Sequence, residues 1–316
     1  MKKALIIGCN GQDGILLEKN LIEKNYQIYG IDIDTIKGFE LDNKNKLDIS
    51  IFDDVKLIVS KLKPDEIYYL AAYHHSSQDK LSENNIELFS KSFSVNNFSL
   101  VNFLEAVRLY SSHTKLFYAA SSHIFGQADT VPQDENTAIN PDNIYGVTKA
   151  SGVYTCRYYR KNYALFASTG ILYNHESSLR SPGFVSKKII RGAVQIKKGM
   201  QDRIELGSLE SEIDWGYAPD YVEAMFNILQ VNCSDDFIIA TGIKHTVKDF
   251  VEITFNYLDL DWNQYITINN NIVSNRKHAL IGNAEKLRNK CGWKPSVNFK
   301  QMIKKLLEEE GIVINE

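Results

Sequence analysis

Tyr145 and Lys149 combine residue types and a spacing that suit acid–base chemistry. They are four residues apart in a predicted helix, so they share one face and the ammonium group can sit beside the phenol. A free tyrosine has a pKa near ~10 and is a poor base at neutral pH, whereas a nearby positive charge lowers that pKa. The pair therefore suits removal of a proton from a hydroxyl group while its carbon gives up a hydride.

A glycine-rich turn upstream provides a place for the hydride acceptor. The turn separates a short apolar run, Ala4 to Ile7, from a segment with helical periodicity that begins at Ile15. Glycines between a strand and a helix let the backbone approach a pyrophosphate, which the helix N-terminus stabilises. A tight turn without a ligand is the alternative, and the strand–turn–helix context favours the cofactor site. The residues of this turn predicted to bind the cofactor are Gly8, Gly11, Gln12, Asp13 and Gly14.

Asp32 predicts NAD rather than NADP as the cofactor. It ends the second predicted strand, Gln27 to Asp32, where an acid can accept hydrogen bonds from both ribose hydroxyls and would repel a 2′-phosphate. Asp48 and Ile49 end a predicted third strand and are candidates for the adenine edge, although Asp48 is equally well interpreted as a helix cap. A fourth predicted strand ends in further cofactor candidates, Leu70, Ala71 and Ala72.

Composition narrows the class of protein. The chain has 316 residues, 44% of them hydrophobic, with a net charge of −3, which argues against a nucleic-acid or membrane-surface protein. No window approaches the ~18 apolar residues of a membrane span. The four cysteines are far apart and form no Cys-x-x-Cys pair, so we expect reduced thiols, no metal site and a cytoplasmic location.

Strands and helices alternate over about the first 170 residues, which predicts an α/β fold with a doubly wound parallel sheet of the Rossmann type. We expect residues 1–172 to form the NAD-binding domain, with a contribution from about 214–245. Residues 173–316 then form mainly a smaller C-terminal α/β substrate lobe. Helices are predicted over Phe93 to Tyr110 and Tyr145 to Asn162, among others.

Together these motifs resemble the extended short-chain dehydrogenase/reductases. Several segments are more specifically similar to GDP-mannose 4,6-dehydratases, above all Asn174-His175-Glu176-Ser177, which is a marker of that family. The other similar segments are Gly11-Gln12-Asp13-Gly14, Pro64-Asp65-Glu66-Ile67-Tyr68, Asp214-Trp215-Gly216, Asp220-Tyr221-Val222 and Gly292-Trp293-Lys294-Pro295. The resemblance covers nearly the whole chain and implies a GDP-linked, manno-configured sugar substrate in surface-polysaccharide biosynthesis. It also implies a homodimer or homotetramer assembled through helices that flank the sheet.

The resemblance also implies roles for individual residues. Tyr145 takes the proton of the sugar O4 while hydride leaves C4, and Ser121 shares the O4 hydrogen bond. A glutamate two residues later normally removes the C5 proton and protonates the departing C6 hydroxyl, and here that position is His123. The residues predicted to bind substrate are Ser122, His123, Asn174, Arg180, Lys188 and Arg276.

The sequence departs from the family pattern elsewhere too. Asp32 replaces a basic strand end suited to NADP, and Ile213 replaces an arginine that contacts the diphosphate. The acidic ribose ligand before Leu280 is replaced near Arg276. These changes keep the fold and the GDP-sugar class and leave the reaction outcome open.

His123 decides which outcomes are open. Its ring can in principle act as acid or base, because an unperturbed histidine has a pKa near ~6.5. A stiff ring is a poor geometric substitute for a carboxylate, and a misplacement of ~1 Å can reduce a rate about 100-fold. We therefore favour a histidine that fills space or hydrogen-bonds the sugar, and a 4-keto product that keeps its C6 hydroxyl. Dehydration with His123 as base, C4 epimerisation and a catalytically silent NAD-binding scaffold are the alternatives.

Overall fold

The computed structural model describes residues 1–40, 46–73, 85–269 and 279–314. Twelve strands lie in these ranges: β1 (Lys3–Ile7), β2 (Gln27–Asp32), β3 (Thr35–Lys37), β4 (Glu66–Tyr69), β5 (Lys115–Ser121), β6 (Ala167–Leu172), β7 (Asn174–Glu176), β8 (Ile204–Leu206), β9 (Glu212–Tyr217), β10 (Asp236–Ile239), β11 (Lys244–Thr246) and β12 (Ile266–Ile268). The same ranges contain ten α-helices: α1 (Gln12–Glu23), α2 (Phe52–Leu62), α3 (Asn85–Phe93), α4 (Ser99–Tyr110), α5 (Ile144–Tyr163), α6 (Val185–Lys197), α7 (Ala218–Gln230), α8 (Val247–Asn256), α9 (Glu285–Cys291) and α10 (Phe299–Glu309).

Seven strands form one sheet in the order β3-β2-β1-β4-β5-β6-β10. Neighbouring strands are parallel, except that β3 runs antiparallel to β2. All residues of β4 and β6 are buried, as expected for strands covered by helices on both faces. The strand order reverses between β1 and β4, and ligands of such sheets bind at the carboxyl ends of the strands at this point. The predicted doubly wound α/β sheet is confirmed.

The third predicted strand is wrong. Residues 46–49 form no strand, and the chain instead turns back after β2 so that β3 pairs with Gly30–Asp32. Asp48 lies in a turn before α2, and its carboxylate accepts hydrogen bonds from the Ser50 amide (2.9 Å) and hydroxyl (2.6 Å). Leu47 is nevertheless buried in the core around the sheet.

The helix predicted from Phe93 contains an irregular turn. The chain passes from α3 into a π-helical turn, Ser94–Phe98, and then into α4. This turn buries Asn96, whose side-chain amide donates hydrogen bonds to the Thr148 hydroxyl (2.9 Å) and the Tyr73 carbonyl (3.3 Å). The irregular turn therefore ties α5 to the chain that follows β4.

The remaining predicted helices and strands of the large sheet agree closely with the structure. The helix predicted over Tyr145 to Asn162 is α5, and the second predicted strand, Gln27 to Asp32, is β2. The segment Gly292-Trp293-Lys294-Pro295 separates α9 from α10, with Gly292 in the left-handed region at φ 67°.

The second, smaller part of the fold contains β7, β9 and β11 in one sheet and β8 paired with β12. Helices α6, α8 and α10 pack together around a separate hydrophobic core that includes Ile189, Trp215, Phe250 and Ile303. Strand β10 lies between β9 and β11 along the chain, yet it pairs with β6 in the large sheet. The two parts are therefore interleaved in sequence.

Three surface features bear on the other expectations. Among the described residues, no helix is long and apolar enough to cross a membrane. All four cysteines have free thiols, and only Cys233 is exposed. Helix α5 exposes Tyr154 and Tyr158, and Phe98 is exposed at the end of the π-helical turn. These side chains lie on the helices expected to join subunits, and the number of subunits stays a prediction.

Candidate active site

The three glycines of the turn have different structural roles. Gly8 has φ +90°, and a Cβ atom there would lie 2.8 Å from the Ala71 backbone nitrogen. A Cβ on Gly14 would lie 2.3 Å from the Gly8 carbonyl oxygen, so Gly14 permits α1 to pack against the turn. Gly11 is the N-cap of α1 and leaves the helix without a side-chain cap. An uncapped helix N-terminus beside a close-packed glycine turn suits a pyrophosphate.

Asp32 lies at the edge of this turn. Its carboxylate accepts hydrogen bonds from the backbone N–H groups of Asn10 and Ile33, both at 2.8 Å. Asn10 in turn donates from its side chain to the Thr35 hydroxyl at 2.7 Å, so the β2–β3 hairpin holds the turn. The acid is thus fixed by the backbone at the place where an adenosine ribose is expected.

The end of β4 meets the same turn. The Leu70 N–H donates to the Ile7 carbonyl at 2.9 Å, and Ala71 lies against Gly8. Ala72 follows as an exposed residue. The structure therefore brings these three predicted cofactor residues to the glycine turn, whereas Asp48 and Ile49 lie in the turn before α2.

The catalytic candidates meet where β5 ends beside α5. The Ser121 hydroxyl is near enough to the Tyr145 phenol to lower its pKa, and Lys149 lies one helical turn further on with its Nζ 5.7 Å from the centre of the Tyr145 ring. Lys149 is only 1% exposed and donates a hydrogen bond to the Ala119 carbonyl at 2.7 Å. Tyr145, Ser121 and Lys149 are thus assembled as a proton-transfer group needs to be.

Electrostatics at Tyr145 differ from the sequence-based expectation. Burial raises the pKa of the Tyr145 phenol, while the charge of Arg180 and the hydrogen bond from Ser121 oppose that rise. Burial also lowers the pKa of Lys149 to about 7, against the charge of Asp13, so its ammonium is only partly populated at neutral pH. Arg180 is consequently a second source of positive charge at the phenol, which the spacing of Tyr145 and Lys149 did not reveal.

His123 lies directly beside the tyrosine. The two ring centres are 5.8 Å apart and the rings are nearly perpendicular, at 86°. Its backbone N–H donates to the Ser121 hydroxyl oxygen at 3.3 Å, and its Nδ1 lies 3.3 Å from the side-chain amide nitrogen of Asn143. The predicted substrate residue His123 is therefore part of the same cluster as Tyr145 and Ser121.

A buried ion pair joins the glycine turn to β7. His175 Nε2 lies 3.0 Å and 3.1 Å from the two carboxylate oxygens of Asp13, and Nδ1 lies 2.7 Å from the Tyr173 carbonyl. Both ring nitrogens face acceptors, so the ring is an imidazolium when Asp13 is ionised. Burial opposes both charges, yet each partner favours the other, and the pKa of Asp13 is lowered to about 2 while that of His175 is raised. The Asp13 carboxylate is thus directed toward β7, where it pairs with the His175 ring.

The segment after β7 brings Arg180 toward this cluster. Its guanidinium stacks on the Phe184 ring, with 3.6 Å between the guanidinium carbon and the ring centre. Its Nε lies 3.3 Å from a carboxylate oxygen of Glu176, which also accepts a hydrogen bond from Ser186 at 2.6 Å. The cation is therefore held from two sides near the phenol whose pKa it lowers.

Three other predicted substrate residues lie on β7, on α6 and directly after β5. Asn174 begins β7 and is half-buried, and Lys188 lies half-buried on α6. Its neighbour Lys187 is engaged internally, by the Ser178 carbonyl at 2.7 Å and by Glu310. Ser122 is 5% exposed, which leaves little of it for a ligand. Arg276 lies outside the described residues.

Comparison with known proteins identifies the family of this chain. The family model described as GDP-mannose 4,6 dehydratase matches residues 5–306. GDP-mannose 4,6 dehydratase 2 of Arabidopsis thaliana is 35% identical over 333 residues, which cover 98% of this chain and 87% of that protein. The human GDP-mannose 4,6 dehydratase is 31% identical, with 97% of this chain and 91% of that protein covered. The chain belongs to the GDP-mannose 4,6-dehydratase family.

Solved structures of more distant relatives share the fold. RMD from Pseudomonas aeruginosa, complexed with NADPH, superposes with a TM-score of 0.82 at 18% identity, covering 99% of this chain and all of that one. The dTDP-glucose 4,6-dehydratase of Bacillus anthracis, in complex with NAD, gives 0.81 at 20% identity, with 98% and 96% covered. At these identities the likeness shows the fold alone. That His123 stands where the family has a glutamate stays a prediction.

Two family markers have structural roles in this chain. The Trp293 indole donates a hydrogen bond to the Asp220 carbonyl at 2.8 Å, and the Asp220 carboxylate accepts one from the Ser296 N–H at 2.9 Å. The segment after α9 is thereby fastened to α7. Ile213, where the resemblance implies a missing arginine, packs half-buried against the core of the smaller lobe.

Asp214 of the Asp-Trp-Gly marker was not singled out from the sequence for any contact of its own. It is 1% exposed and accepts hydrogen bonds from the backbone of Gly242 (2.9 Å) and Gly282 (3.2 Å) and from Thr241. Burial raises the pKa of this carboxyl, against these hydrogen bonds. The residue joins three separate chain segments, and such a long-range role leaves no local signal in the sequence.

Proposed function

We propose that this protein oxidises C4 of a GDP-linked, manno-configured sugar, such as GDP-mannose or a GDP-manno-heptose, to the 4-keto sugar with NAD and without dehydration. The observation that carries this proposal is the cluster of Tyr145, Ser121 and Lys149 with His123 packed against the tyrosine. The cluster contains the groups that C4 oxidation requires and has a histidine where dehydration would require a carboxylate.

The residues around the glycine turn fit a dinucleotide. Gly8 brings the backbone close to Ala71, and the uncapped N-terminus of α1 offers N–H groups to a pyrophosphate. Asp32, held by the backbone of Asn10 and Ile33, would take the ribose hydroxyls. When bound there, NAD supplies the acceptor for the hydride from C4.

Asp32 gives a direct test of cofactor choice. We expect the protein to bind NAD more tightly than NADP, because a 2′-phosphate would lie against this carboxylate. Replacing Asp32 by asparagine removes the charge, and we expect the affinity for NADP to rise by about tenfold, as for a repulsion of ~1–4 kcal/mol between charges ~4 Å apart. Calorimetric titration with each cofactor measures this, and Asp34→Asn, an exposed acid two residues on, is the matched control. Tighter binding of NADP by the unaltered protein would refute the role of Asp32.

The protein's own groups can carry the proton from O4. Tyr145 accepts it, and the Ser121 hydroxyl, which lowers the pKa of the neighbouring phenol, can hydrogen-bond the sugar O4. The charge of Arg180 opposes the unfavourable effect of burial on the phenolate, and the Lys149 ammonium lies 5.7 Å from the centre of the same ring. Arg180, Asn174 and Lys188 are the described residues that we infer to face the GDP moiety.

His123 supports oxidation without loss of water. Dehydration needs one group that takes the C5 proton and delivers a proton to the C6 hydroxyl, which a carboxylate on a flexible stem can do with two oxygens. The His123 ring is held between Tyr145 and Asn143 and has little freedom to serve both atoms. We infer that the 4-keto sugar keeps its C6 hydroxyl and leaves the site.

A 4,6-dehydratase activity is the second candidate, favoured by the family. The relatives from Arabidopsis and human are both named as GDP-mannose 4,6 dehydratases. A dehydratase activity in this protein would require His123 to act as the acid–base group or another residue to take that role. Product mass separates the candidates: a product lighter by two hydrogens supports the proposal, and a product lighter by one water supports dehydration. An unchanged mass with inverted C4 would indicate epimerisation.

A further inference from the structure

Asn143 makes three hydrogen-bond contacts, and two of them fix the orientation of its side-chain amide. It is the N-cap of α5, where its Oδ1 accepts a hydrogen bond from the Gly146 N–H at 2.8 Å. Its Nδ2 donates to a carboxylate oxygen of Asp142 at 2.9 Å. A backbone N–H requires an acceptor and a carboxylate requires a donor, so both contacts place the oxygen and the nitrogen of this amide in the same way.

The third contact of Asn143 is with His123. The same Nδ2 lies 3.3 Å from the ring Nδ1 of His123. An amide nitrogen can only donate, so Nδ1 accepts and bears no proton. The neutral His123 ring therefore carries its proton on Nε2.

We propose that Asn143 is a positioning residue that holds His123 as an Nε2–H hydrogen-bond donor and so prevents it from acting as a base during turnover. A general base needs a lone pair facing the proton that it removes, and here the only lone pair of the neutral ring is directed at Asn143. An imidazolium would place an N–H group against the amide NH₂ group, which is unfavourable. The catalytic consequence rests on the proposed function, since it explains why C4 oxidation is not followed by removal of the C5 proton.

The groups around His123 agree with a neutral donor. Tyr145 contacts it edge to face, and its own pKa is raised by burial, so the neighbouring phenol is neutral in the resting protein. The Asp142 carboxylate acts on the ring through Asn143, and it also accepts a hydrogen bond from Gln127 at 2.8 Å. The Asn143 amide thus stands between the carboxylate and the imidazole.

Replacing Asn143 by aspartate should reverse the arrangement. An aspartate can still accept the Gly146 N–H as an N-cap, so α5 is retained. Its second oxygen would accept a hydrogen bond from Nδ1–H, which leaves the lone pair on Nε2. The ring then becomes able to take the C5 proton of a bound 4-keto sugar while the electron pair of the C5–H bond moves into the C4 carbonyl as an enolate. Return of a proton from Nε2 to C5 restores the ketone.

The ring tautomer can be read directly by two-bond ¹H–¹⁵N NMR on protein labelled in its seven histidines, with His123 assigned from a His123→Asn variant. We expect the Nε2–H form in the unaltered protein at neutral pH and the Nδ1–H or imidazolium form in Asn143→Asp. Asn143→Ser is the matched control, because serine keeps the N-cap but has no amide to donate to the ring. An Nδ1–H or imidazolium ring in the unaltered protein overturns the proposal.

Turnover in D₂O provides a second readout. We expect Asn143→Asp to incorporate deuterium at C5 of the 4-keto product about tenfold or more faster than the unaltered protein, as expected for a general base. Equal incorporation in the two proteins contradicts the role assigned to Asn143. An Nε2–H ring together with a product that has lost water would instead refute the proposed function and leave the tautomer assignment intact.

Discussion

Replacing Tyr145 by phenylalanine should nearly abolish substrate-dependent formation of NADH. The variant removes the hydroxyl that would accept the O4 proton, and general acid–base groups typically contribute 10²–10⁴-fold to a rate, so we expect a fall of about that size. The aromatic ring and its contact with His123 are retained, so the fold should survive. Absorbance of NADH at saturating substrate and cofactor measures the loss.

The same helix offers a matched control for this variant. Tyr154 lies on α5 and is 54% exposed, so Tyr154→Phe makes the same chemical change away from the cluster. We expect nearly unchanged activity from Tyr154→Phe and unchanged NAD affinity in both variants. If Tyr145→Phe formed NADH at the normal rate, the oxidation would not depend on this phenol and the catalytic role would be wrong. A scaffold that binds NAD without chemistry would form no NADH before either substitution.

Replacing Lys149 by methionine should have the next largest effect. Lys149 donates to the Ala119 carbonyl and places its charge 5.7 Å from the centre of the Tyr145 ring. An opposite charge at such a distance shifts a pKa by about 1–3 units, so without it the phenolate becomes harder to form and the rate at neutral pH should fall roughly 10- to 1000-fold. The residual activity should rise with pH further into the alkaline range than that of the unaltered protein. Initial rates between pH 6 and pH 10 test this.

Lys161→Met provides the control, since Lys161 is exposed on the same helix. We expect this variant to keep both the rate and the pH profile.

Burial lowers the pKa of Lys149 to about 7, so its ammonium is lost as the pH rises through that value. If Lys149→Met retained the full rate and an unchanged pH profile, Arg180 alone would have to supply the charge at Tyr145.

Much of the large sheet could be predicted because its signals are local. The apolar runs of β1 and β6, the glycine turn and the periodicity of α5 each depend on neighbours in sequence. The third strand was misplaced because Leu47 packs into the core without strand pairing, while β3 is only three residues long. The π-helical turn at Asn96 was also missed, since a one-residue change in helical register leaves the apolar pattern almost intact.

The candidate site was predicted where its members are close in sequence. Tyr145 and Lys149 share a helix, and Ser121 and His123 follow one strand, so spacing and strand ends were sufficient to find them. The pairing of Asp13 with His175 joins residues 162 positions apart, and the contact of Asn143 with His123 spans 20. No local pattern reports such contacts, and they change the assigned roles: the Asp13 carboxylate binds a histidine, and Asn143 sets the tautomer of another.

Product analysis tests the proposed reaction most directly. The protein is incubated with a GDP-manno-configured sugar and excess NAD, and the sugar product is analysed by mass spectrometry while NADH is followed by absorbance. We expect a product two hydrogens lighter than the substrate, with one NADH formed per sugar. A product lighter by one water, or one of unchanged mass, without net NADH would contradict oxidation as the end of the reaction.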